Sequence, residues 1–177
     1  MASVVLLPNA DIANNWTLST GSDVYALLDD QAAQLASDGS YLSSTSAGSV
    51  CTVQLQDFSH AHSAINSVTL TTSSGNGGRG ASHTLETKLS HPFGDYYTES
   101  SGSIPAHRFD YVIKTYTTRT TYDGSNAWTE ATLNSLRIGV TLDAHSGGTT
   151  KFTYAAVTVD YDLPVAADNS IFFGTNF

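Results

Sequence analysis

Apolar and polar side chains alternate along most of this chain, and the alternation has period two. His83, Leu85, Thr87 and Leu89 share one face of an extended segment and Thr84, Glu86 and Lys88 the other, with Pro92 ending the run. The same pattern turns Ile138, Val140 and Leu142 inward and recurs over 50–55 and 65–72. Segment 109–122 is β-branched and aromatic almost throughout, the strongest strand signal in the chain, and Asp123 and Gly124 close it. Further strands are predicted from Trp16, over 23–28 and 41–46, from Tyr96 to Glu99, and over 152–161, where a change of parity at Ala155 and Ala156 signals a bulge. Strands 41–46 and 50–55 read as neighbours joined by a short turn at Gly48, and Gly147 with Gly148 marks a hairpin.

Helical signals are brief. Thr129 can cap one turn whose Leu133 and Leu136 bury together with Trp128, and 29–35 has the Asp start and Ala, Gln and Leu content of one or two more turns. The glycine-rich run 73–80 holds no apolar residue and is predicted to be a mobile loop tip. About eight strands without βαβ alternation define an all-β fold, a jelly-roll-like antiparallel β-sandwich with one short helical turn. The sandwich is expected over 16–162, preceded by an extended N-terminal arm (1–15) and followed by a linker and apolar C-terminal tail (163–177).

The tail carries Ile171, Phe172, Phe173 and Phe177. Leaving such a side chain in water costs roughly 1.5–3 kcal/mol relative to burying it, so the tail needs cover, either its own sandwich or a neighbouring subunit. The arm holds a second apolar run, Val4, Val5, Leu6 and Leu7. These two runs are the candidate docking segments. The run at 4–7 is shorter than a signal-peptide core and lacks a basic flank, and nothing approaches membrane-spanning length, so synthesis in the cytoplasm of the producing cell is expected.

Composition narrows the partners. At 177 residues one domain can bury a sizeable core, and charged residues make up 13%, about half the usual share, with Ser and Thr supplying the polar surface. The net charge of -9 without a Lys/Arg cluster argues against nucleic acid and membrane surfaces. The single cysteine, Cys51, excludes an intrachain disulfide and reads as a buried strand thiol.

No constellation for catalysis emerges. His60 and His62 near Asp57 lack a third and fourth zinc ligand, and Asp29, Asp30, Asp160 and Asp162 have no calcium-loop spacing. The serines lack a nucleophile-elbow frame, 75–80 lacks the ending of a phosphate loop, and nothing sets two of Asp95, Glu99, Asp110 and Glu130 at one site. No enzyme activity, cofactor or metal is expected. Tyr96, Tyr97, Tyr122 and Trp128 are the rings that could stack on a glycan, with core packing the competing use of Trp128.

Asn15 Trp16, Tyr41 Leu42 Ser43, segments 50–55 and 65–70, Trp128 Thr129, 133–140 and 154–161 together resemble a diffuse group of tailed-bacteriophage virion proteins, small sandwich domains of head decoration, capsid fibre or minor tail. The likeness covers most of the chain but rests on scaffold positions, so it implies a fold and a setting and transfers no site residue. It implies a structural virion protein made in the host cytoplasm, forming a homo-oligomer and binding the major capsid or tail protein. The alternative expectation is a carbohydrate-binding module for host attachment.

Overall fold

The computed structural model describes residues 1–28, 39–76, 81–105 and 111–165. They form two antiparallel six-stranded sheets. The first contains β1 (Ala2–Leu6), β3 (Thr17–Leu18), β4 (Leu42–Ser44), β6 (Ala64–Asn76), β10 (Val112–Thr115) and β12 (Thr150–Asp162). The second contains β2 (Pro8–Asn14), β5 (Val50–Leu55), β7 (Ser82–His91), β8 (Gly94–Ser100), β9 (Ile104–Pro105) and β11 (Arg137–His145). In the first, β10, β6 and β12 run side by side, and the far edge of β12 takes β4 and then β3 near its start and β1 near its end. In the second the order is β2, β5, β11, β7, with β8 and β9 in tandem on the outer edge of β7.

The chain changes sheet at most connections, the exceptions being β3 to β4 and β7 through β8 to β9, which makes the sandwich jelly-roll-like. This corrects two sequence expectations. β4 and β5 are not hairpin partners, and neither are β11 and β12; each pair is split between the sheets. Gly48, at φ 87°, turns a corner from one sheet to the other, and the turn between β11 and β12 does the same. A glycine-containing turn reverses the chain in both cases, and burial of the next strand's apolar face decides which sheet receives it.

Residues 1–15 are not a free arm. β1 pairs with β12 from Ala2 opposite Tyr161 to Leu6 opposite Val157, and β2 pairs with β5 from Pro8 opposite Leu55 to Asn14 opposite Cys51. Of the proposed docking run, Leu6 is buried in the core, Val4 packs against it, Leu7 packs with Tyr154 and Ala156, and Val5 stays largely exposed. The strand signal in β2 was hidden by two register shifts against β5, which break the period of two. The docking run of the tail, Ile171, Phe172, Phe173 and Phe177, lies outside the described residues, as does the helical segment expected over 29–35.

Three more expectations change. Segment 23–28 forms a 3-10 turn at Tyr25–Leu27 instead of a strand, because the Asp11 carboxylate accepts the backbone N–H groups of Val24 and Tyr25, each at 2.8 Å. The run 73–76 belongs to β6 and is not loop; the backbone of Ser73 and Ser74 lies between β10 and β12, so their small side chains are buried without breaking the ladder, and 75–76 pair with β12. Among the described residues of 109–122 the regular strand is the four residues of β10, after which the chain still tracks β6: Tyr116 N–H donates to Leu70 O, and Arg119 and Val68 exchange both backbone bonds. The pairing goes from Thr115 opposite Thr71 to Arg119 opposite Val68, so one extra residue on the outer chain ends the regular strand.

The inward alternation of β7 and β11 is as expected, and Leu85, Leu89, Ile138, Val140 and Leu142 meet Val68, Phe152, Val157 and Val159 from the opposite sheet. The bulge in β12 falls between Phe152 and Tyr154, two residues before the expected place, so Phe152 and Ala155 both face the core while Tyr154 and Ala156 turn to the other side. The helical turn is α1 (Glu130–Asn134), with Thr129 and Thr132 forming a reciprocal cap and Leu133, Leu136 and Trp128 buried.

Candidate functional site

The end of the sandwich opposite the β11–β12 turn carries the apolar surface. β7 arrives there at His91, the chain turns through Pro92 and Phe93, and β8 leaves from Gly94. Phe93 N–H donates to His91 Nδ1 at 3.3 Å, which fixes the turn, and the Phe93 ring stands 93% exposed. Behind it the rings form a continuous row. His91 stacks on Tyr96 at 4.5 Å, and Tyr96 meets Tyr122 at 5.3 Å and Trp128 at 5.8 Å edge-on. Trp128 is buried, its Nε1–H donating to Arg119 O at 3.0 Å, so the row is anchored in the core at one end and open at the other. Burial pushes the Tyr96 hydroxyl above its ordinary range, against a hydrogen bond with Ser135. Hydrogen bonds from Asn126 and Ser125 hold the nearby Asp123 carboxyl below its ordinary range, so the rim carries a negative charge.

Three of the four rings singled out in the sequence therefore come together. Tyr97 does not join them; it faces the other way on β8, donates to Thr121 O at 2.6 Å and lies under the Arg119 guanidinium at 4.2 Å. The sequence reasoning missed His91 and Phe93. The signal was present, because Pro92 and Gly94 hold an aromatic residue in a turn where no strand can bury it.

The chain also leaves β12 at this end. Ser63 Oγ donates to Leu163 O at 3.2 Å, beside the Asp162–Ala64 pairing, and Leu163 and Val165 are 57% and 91% exposed. Apart from Met1, which stands at the same end opposite Asp162, these two and Phe93 are the most exposed large apolar side chains among the described residues. Val5, Ile12 and Ile113 are exposed along the flanks, each less than Leu163.

The remaining candidates are absorbed by packing. His60 and His62 do not sit on a strand; they lean on Phe58, at 5.6 and 5.2 Å, with Tyr161 completing the group. Glu99 holds Arg119 at 2.6 Å and accepts Thr117 N–H, and Asp160 accepts from Ser67. Among the described residues no three His, Cys, Asp or Glu side chains gather in a group that could hold a metal ion. Asp29, Asp30 and Asp110 lie outside the described residues. Burial pushes the Cys51 thiol up to about 12, so it stays protonated.

No protein-family model matches the chain, and no curated protein matches it. Among solved structures it is similar to the CBM36-1 domain of a multidomain xylanase from the hindgut metagenome of Trinervitermes trinervoides, at 5% identity and TM-score 0.45, over 94% of this chain and 100% of that one. A truncated AlyQ with CBM32 and alginate lyase domains is similar at 14% identity and TM-score 0.45, over 94% of this chain and 36% of that one. The structure of infectious bursal disease virus Gx strain is similar at 11% identity and TM-score 0.33, over 68% of this chain and 29% of that one. These likenesses concern the fold alone.

Proposed function

We propose that this chain is a non-enzymatic structural component of a phage virion, oligomeric in the particle, which docks on the capsid or tail through the apolar end of its sandwich. The observation that carries the reading is that Phe93, Leu163 and Val165, strongly exposed apolar side chains, all lie at the same end of the sandwich by strand register, and that the sequence goes on from Val165 to Ile171, Phe172, Phe173 and Phe177. An exposed aromatic on a turn, backed by half-buried rings that lead to the buried Trp128, has the character of an interface anchor. The low charge suits close packing with neighbours, because interface cores are depleted of charged residues. The resemblance to phage virion domains supplies the setting.

The test is incorporation into particles. A chain lacking 170–177 and a full chain with Phe93→Ala both keep every described strand, so each is expected to fold with an unchanged circular-dichroism spectrum. Each is expected to enter particles at least tenfold less than the parent protein. Incorporation at the parent level in both would remove this end from the mechanism.

The ring row favours a second reading, a module that binds a neutral glycan by stacking on Phe93 with His91 beside it and Tyr96 behind, since aromatic faces pair with sugar C–H groups. Titration calorimetry with cellohexaose and chitohexaose separates the two. Heat of binding that Phe93→Ala abolishes supports the glycan, and no heat with either sugar counts against it.

A further inference from the structure

The opposite end of the sandwich contains a buried polar group that the docking proposal does not use. His83 on β7 points into the core and is 1% exposed. Its Nε2 meets Ser74 Oγ on β6 at 2.9 Å, a hydrogen bond that spans the two sheets. Its Nδ1 is buried with no protein partner. The residue opposite it on β11 is His145, whose buried Nε2 also has none, and the buried Thr150 Oγ1 at the start of β12 is a third such atom.

From this geometry we propose that the Ser74–His83 bond is an acid-sensitive clasp, which holds the two sheets together at this end while the His83 ring is neutral and releases them when the ring takes a second proton. The physical reason is that no acceptor meets His83 Nδ1 among the described residues. A charged imidazole would bury an N–H without a partner and set a cation beside a second histidine, and each costs free energy in a low-dielectric interior. Among the described residues no carboxylate offsets it. From β11 the only titratable side chain facing His83 is His145, for Asp143 is exposed. β6 and β12 present Ser74, Phe152 and Thr150, β9 presents Ile104, and Lys151 turns outward onto the Tyr41 ring at 3.9 Å. The rim beside it is made of hydroxyls, with Ser82 N–H donating to Ser146 Oγ at 2.7 Å.

Burial, then the neighbouring His145, lowers the His83 pKa from 6.5 to about 4. The sign follows from linkage. Below 6.5 the unfolded chain binds a proton at this position that the folded chain refuses, so the clasp contributes its full stability above 6.5 and loses it as pH falls toward 4.

Hydrogen exchange of the full-length protein at a series of pH values from 7 to 4, corrected for intrinsic exchange rates, tests the clasp. Amides of 72–76, 82–86 and 142–152 are expected to gain exchange at least tenfold more than those of 51–55 and 157–161 as pH falls. His83→Gln, which can still bond Ser74 but does not titrate, is expected to flatten that dependence. Should His83→Gln fail to fold, the wild-type His83 ring followed by NMR gives the second readout, with a midpoint well below that of an exposed histidine. A uniform rise in exchange at both ends, an unchanged pH dependence in His83→Gln, or a His83 midpoint near 6.5 would each overturn the proposal.

Discussion

Single side chains set several of the local shapes, and their removal has a calculable direction. Asp11 accepts two successive N–H groups at the start of the 3-10 turn, the service that an N-cap residue performs for a helix. Asp11→Ala should cost about 1 kcal/mol in chemical denaturation, and Asp11→Asn, which keeps one acceptor, should cost less. Thr129 does the same for α1, accepting Thr132 N–H at 3.2 Å, and Thr129→Ala should again lose about 1 kcal/mol. Cys51 offers a chemical readout of the same core. With the thiol buried and its pKa pushed up to about 12, a colorimetric disulfide reagent at pH 8 should label it only after denaturant unfolds the chain. Prompt labelling of the native protein would contradict the packing of β5 against β11.

At the level of strands and turns, glycine separates two kinds of constraint. Gly48 sits at φ 87° where β4 hands over to β5, a conformation that a side chain resists, so Gly48→Ala should destabilise by about 1 kcal/mol or more. Gly139 lies inside β11 without positive φ, and a Cβ there would meet Lys88 Cβ at 3.5 Å and Thr52 Oγ1 at 3.7 Å, ordinary contacts. Gly139→Ala should therefore be neutral or stabilising by about 0.5 kcal/mol, and paired thermal melts of the two variants check the contrast. This level is also where sequence reading succeeded and failed. The apolar side chains of β5, of β7 as far as Leu89 and of β11 as far as Leu142 recur at every second position and were legible, and so was the Thr129 cap, because each is decided by neighbours in sequence. Pairing was not legible, because turns at Gly48 and Gly147 reverse the chain in the same way whether the next strand joins the same sheet or the facing one. β2 was lost to its bulges, and Ser73 and Ser74 were read as loop because residue type alone does not reveal a strand flanked on both sides. The ring row was half legible: Tyr96, Tyr122 and Trp128 were chosen for their chemistry, but only the hairpin geometry adds His91 and Phe93.

Across the whole molecule, the open edge of the sandwich is where two sheets must be held together without a shared strand. β8 is the last strand of one sheet and β10 the last of the other, and the gap beyond β10 is spanned by Glu99 of β8. Its two carboxylate oxygens take Arg119 Nη2 at 2.6 Å and Thr117 N–H at 3.1 Å, while the guanidinium covers the Tyr97 ring. Both side chains are about three-quarters buried, at 26% and 24% exposure, whereas Lys88 and Glu86 are more open, at 35% and 40%, and 3.7 Å apart within one strand. The two pairs should therefore behave differently. An exposed pair contributes about 0–1 kcal/mol, so Lys88→Ala should leave the melting temperature nearly unchanged. Arg119→Ala removes a charged hydrogen bond and the cover of Tyr97 and leaves Glu99 part-buried with only one donor, a loss of about 1.5–3 kcal/mol. A double-mutant cycle of Glu99→Gln with Arg119→Gln measures the coupling directly, and raising the salt concentration should reduce it only weakly because water has little access. Coupling near zero would mean that the core alone closes this edge, and that the sheets there are held by Leu70, Leu89 and Tyr116 without help from charge.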